Sequence, residues 1–226
     1  MQLAQAERDR KARAADAVAV LLEQARVALD EGYAARAAIP LAFAEKRAAD
    51  DAVADHADRL TAFRAALAHL RALDEVDRLC WTMNGSFLSP AAEAANQWAT
   101  AFKRIGIVPG TTRPAEAAAI VSGSPIRTAL LAALHGWLVR APAESLRVIL
   151  EAVDDDPFRS EARRLLTAQD RSGLAALVKS REWENQPAWL AMAVNASPAV
   201  PPDVGRRLLQ SVLKRGLGFW YYGRHD

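Results

Sequence analysis

At 226 residues and 24.5 kDa the chain is long enough to bury a substantial core, as one large domain or two small ones. Hydrophobic residues make up 51% and charged residues 25%, while the formal net charge is only +2 against a sequence pI near 8.9. That mild basicity is spread through every segment, so it gives nucleic-acid binding no support, and the single cysteine, Cys80, excludes an internal disulfide and any Cys-Cys metal pattern.

No apolar run approaches the roughly 18 residues needed to span a bilayer, and the start, MQLAQAERDRKARAAD, is charged and helix-forming rather than a signal peptide. A soluble, cytoplasmic chain is expected, although a longer parent protein could carry a membrane anchor elsewhere. From Gln2 to Glu31 almost every residue favours helix, with an apolar stripe of Val18, Leu21, Leu22, Ala25, Ala28 and Leu29 stopped by Gly32. The first dozen residues lack the stripe and read as a solvated lead-in. A second helix covers about Ala34 to Ala48, with Pro40 expected to break it locally and Tyr33, Ile39, Leu41 and Phe43 as its apolar set. Together the two form a hairpin that is repeat-like without recurring. After the junction Ala48-Ala49-Asp50-Asp51 a third helix runs to about Leu79, with Leu60, Phe63, Leu67 and Leu70 inward.

Asn84-Gly85 and Ser89-Pro90 mark a turn, and the domain boundary is placed there: residues 1–80 as a long-helix region, residues 81–226 as a bundle of short helices. In the stretch from Pro90 to Trp137, Ala91, Ala94, Trp98, Ala101, Phe102 and Ile105 share one helix face that Gly106 ends. That face is expected to dock on the helix carrying Ile126, Leu130, Leu134 and Trp137. Pro114 opens a short helix through about Val121, and Ser124-Pro125, Pro142 and Asp156-Pro157 open others. Further short amphipathic helices follow over Asp170 to Lys179, Pro187 to Ala196 and Pro202 to Lys214. The expected fold is all-α, an antiparallel helical array in which a long-helix hairpin and third helix precede a bundle or solenoid-like set of short helices.

Chemistry is sparse. No phosphate-binding loop, kinase signature or G-x-S-x-G elbow occurs. Asp51, Asp55, His56 and Asp58 form the densest acid-histidine cluster. Read as a helix, it puts Asp51 and Asp55 on one face with His56 about 100° away, a solvated surface rather than a metal site. Five tryptophans, Trp81, Trp98, Trp137, Trp183 and Trp189, read as packing residues. Arg127, a cation near a helix N-terminus, is expected to have a carboxylate partner, with Glu116 a candidate. Phe219 and Trp220 begin a run of four aromatics between glycines. No cofactor is called for, and His135 with nearby acids is the best carrier of a catalytic alternative, a small stand-alone enzyme.

Several of these residues fall into an ordered pattern. Trp81-Thr82 with Phe87, the run Trp98-Ala99-Thr100-Ala101-Phe102-Lys103-Arg104-Ile105-Gly106-Ile107, Pro114 to Ile120, Ser124-Pro125-Ile126-Arg127 and Leu130 to Trp137 follow one another at set spacing. This resembles the region that follows the kinase domain in large bacterial serine/threonine protein kinases of the planctomycete type. Asp154 to Arg159 and Phe219-Trp220 extend the resemblance to where that family's tetratricopeptide repeats begin. Arg113, His135-Gly136 and the residues after Trp220 depart from the pattern. The resemblance implies a non-catalytic helical interaction and linker module that recruits protein partners in signalling, with Trp98, Phe102, Ile126, Arg127, Trp137, Phe219 and Trp220 as its structural or interaction residues.

Overall fold

A computed structural model describes residues 2–81, 83–84, 87–88 and 91–214. Phe219 and Trp220, like Ser89 and Pro90, lie outside the described residues. Among those described, eleven α-helices occur: α1 (Gln2–Asp30), α2 (Ala34–Asp50), α3 (Ala57–Trp81), α4 (Ala91–Lys103), α5 (Pro114–Ser122), α6 (Arg127–Arg140), α7 (Glu144–Val153), α8 (Pro157–Thr167), α9 (Arg171–Leu177), α10 (Ala188–Asn195) and α11 (Pro202–Lys214). A 3-10 turn covers Arg181–Asn185. The fold is all-α. Its one extended pairing among the described residues is a two-residue antiparallel ladder of Met83–Asn84 with Phe87–Leu88, on either side of the Gly85-Ser86 pair. No helix among the described residues is long and apolar enough to cross a membrane. The chain divides into two units, residues 1–72 with 124–129 and residues 73–123 with 130–226. The first of these divisions falls inside α3, which runs through Trp81.

In the first unit α1 and α2 pack together through a three-residue link. Gly32 takes φ +76, a left-handed conformation that suits glycine, and the link closes with Tyr33 N–H donating to Ala28 O at 2.8 Å. The buried faces are Val18, Leu22, Ala25 and Leu29 on α1 and Ala37, Leu41, Ala44 and Ala48 on α2, with Leu60, Phe63, Leu67 and Leu70 on α3 as expected.

Three expectations for this unit need correction. Pro40 does not break α2, which runs continuously from Ala34 to Asp50. Proline there forgoes one bond to the Arg36 carbonyl, and burial of Leu41 and Ala44 just beyond it holds the turn. Ile39 and Phe43 are not core residues: they are 63% and 61% exposed. They do share a face at four-residue spacing, but it is the face opposite the buried Ala37, Leu41 and Ala44. Finally, residues 51–56 are turns rather than helix. Asp51 there caps α2 and pairs with Arg47 at 2.8 Å, while His56 Nε2 lies 3.2 Å from Ala15 O.

In the second unit α5 packs on α7, α7 on α8, α8 on α9, and α10 on α11. Side-chain caps set the starts. Asp156 Oδ1 accepts from Arg159 N at 2.8 Å with Pro157 opening α8, and Asp170 Oδ1 accepts from Gly173 N at 2.9 Å. Phe158, Leu165, Leu174, Trp183, Leu190 and Leu208 are among the residues of a continuous apolar core.

The α2 assignment is directly testable by urea unfolding. Leu41→Ala is expected to cost about 2–5 kcal/mol, as a core truncation does, while Ile39→Ser and Phe43→Ser should each stay within about 0.5 kcal/mol of wild type. A large loss from either serine variant would place those side chains in the core after all.

Candidate functional site

The aromatic seam sits where the sequence puts it. Trp98 and Phe102, one turn apart on α4, are 2% and 0% exposed. The Phe102 ring stacks on Trp137 with centroids 5.8 Å apart and planes at 22°. The Trp98 ring lies against Gly136, where a Cβ would stand at an ordinary contact distance of 3.4 Å. The indole nitrogen of Trp98 is buried without a hydrogen-bond partner among the described residues, so shape and area hold the indole in place. Ile126 is buried just ahead of α6. Arg127 differs from expectation: it is exposed and makes no ion pair among the described residues, while Glu116 pairs with Arg113 at 3.8 Å. A hydrated guanidinium is screened from the helix end, so no partner is needed.

The densest polar chemistry lies deeper in the second unit, around Arg163. This guanidinium is 0% exposed, and each of its five N–H donors has an acceptor. Nη1 donates to Asp154 Oδ2 at 2.9 Å and to His135 Nε2 at 3.3 Å. Nη2 donates to the Asp154 carbonyl at 2.8 Å and to Glu151 Oε2 at 3.2 Å, and Nε donates to Glu151 Oε1 at 3.3 Å. Arg159, one turn before Arg163 on α8, forks onto the same Asp154 carboxylate at 2.7 and 2.6 Å and reaches Gln186 Oε1 at 3.2 Å. Ser160 completes the group by donating to Glu151. The local cause is the Asp156-Pro157 cap, which starts α8 within three residues of Asp154 and turns Arg159 and Arg163 back toward it.

His135 lies at the far edge of this knot, 1% exposed, with its ring 4.7 Å from that of Trp189. Nδ1 donates to the Leu131 carbonyl at 2.9 Å, so Nε2 is the acceptor facing Arg163 and the ring is neutral. Burial pushes its pKa down to about 4, with the Arg163 charge adding to the shift and the Leu131 hydrogen bond opposing it. Burial works to raise Asp154, but the hydrogen bonds and charges of Arg159 and Arg163 outweigh it and hold the carboxyl below its ordinary value. Glu151 is lowered in the same way, burial being outweighed by Arg163 and Ser160. Burial also drives the Cys80 thiol up to about 11, against the nearby Arg140, which keeps it an unreactive packing residue.

His135 therefore does meet acids, through Arg163, but with both ring nitrogens occupied. A cleft of about 330 Å³ in this unit is lined from α9, the 3-10 turn and α11, and His135 is not among its walls. No group of three or more His, Cys, Asp or Glu side chains placed to hold a metal ion occurs among the described residues.

No family model matches the chain, and no curated protein or solved structure matches it either.

Sequence reasoning singled out His135 but missed its partners. Arg163 falls beside Ala162 on an otherwise apolar stripe, and the available signal was the pair of arginines at 159 and 163 following Glu151 and Asp154.

Two outcomes follow from the knot. Arg163→Met leaves the Asp154 carboxylate buried with one partner fewer and is expected to cost about 3–5 kcal/mol in urea unfolding, part of which the double variant Arg163→Met/Asp154→Asn should recover. The second concerns acid. Unfolded His135 takes up its proton near its ordinary pKa of 6.5, whereas in the fold it does so only at about 4. Its contribution is therefore complete above pH 6.5 and drains away as pH falls toward 4, by up to about 3 kcal/mol. Asp154 and Glu151, lowered in the fold, lose theirs on further acidification. Unfolding titrations should show a shallower decline between pH 6.5 and 4 for His135→Gln than for wild type; parallel curves would mean that His135 titrates freely.

Proposed function

We propose that the chain is a non-catalytic helical interaction and linker module, of the kind that joins a kinase domain to tetratricopeptide repeats in bacterial serine/threonine protein kinases, and that it recruits protein partners in cytoplasmic signalling. The observation that carries this reading is the Ile39 and Phe43 pair. Two large apolar side chains at four-residue spacing on the outer face of one helix are anchors of the type that meet another protein. The buried ionisable groups support the same reading, since Arg163, Asp154, Glu151 and His135 are consumed in holding helices together. The ordered motif from Trp81 to Trp137 is the basis for the kinase-associated placement. Neither a cofactor nor nucleic acid has a part in this reading.

The test pairs genetics with binding. Coding DNA on either side of the chain is expected to specify a kinase domain upstream or helical repeats downstream. In affinity capture from the source cells, Ile39→Ser/Phe43→Ser should lose at least about tenfold of the partner retained by wild type, corresponding to ~1.4 kcal/mol. Unchanged retention would remove α2 from the interface, and no specific partner at all would overturn the module reading.

A further inference from the structure

We draw no further inference here: the strongest candidate, the cleft between α9, the 3-10 turn and α11, takes its charged lining from the exposed side chains Lys179, Glu184 and Arg207, and nothing in the structure points to a ligand for it.

Discussion

The second unit depends on one buried charge. Moving a guanidinium out of water is costly, and Arg163 is tolerated in the interior only because five donors meet five acceptors drawn from α6, the end of α7 and the link into α8. Such a knot adds little net stability over a well-packed apolar substitute, yet any arrangement that misplaces one of these helices strands a charge. Its contribution is therefore to specify which helices meet and in what register. Arg159 extends the same logic outward by joining Asp154 to Gln186 at the end of the 3-10 turn, and Trp189 lies against the neutral ring of His135.

The first unit is held by another means. Three alanines flank Leu41 on the buried face of α2, so its share of the core is mostly small side chains making many weak van der Waals contacts. One consequence is that two of the three large apolar residues of α2, Ile39 and Phe43, are surplus to its core, which takes only Leu41. Ile39 and Phe43 lie outward, where more than half of each side chain remains exposed.

The same difference explains what was legible in the sequence. Helix ends were, because Gly32, Pro114, Asp156-Pro157 and Asp170 act locally, through backbone conformation and caps reaching two or three residues. The Trp98, Phe102 and Trp137 seam was legible too, since large residues at helical spacing on neighbouring helices have few alternatives. In α2 the usual weighting by size failed: Tyr33, Ile39, Leu41 and Phe43 were grouped as one apolar set, but only Leu41 of α2's large side chains is buried, with Ala37, Ala44 and Ala48 beside it. Pro40 misled for a related reason, because one missing hydrogen bond is a small loss beside the burial of the residues around it. The Arg163 knot was the least legible. Its members come from residues 135, 151, 154, 159 and 163, each unremarkable alone, and a buried arginine has the same letter as an exposed one.

His135 shows how far such a knot constrains chemistry. An imidazole beside two carboxylates and an arginine has the composition of an acid-base site, and composition alone cannot separate that from a structural role. The hydrogen-bond directions can. With Nδ1 donating to the Leu131 carbonyl and Nε2 accepting from a permanently charged guanidinium, the ring's free lone pair is already used. Protonation would place two cationic donors face to face across 3.3 Å. The ring is thus held neutral by geometry as much as by burial, and as long as Arg163 keeps its carboxylates the histidine is part of the helix packing.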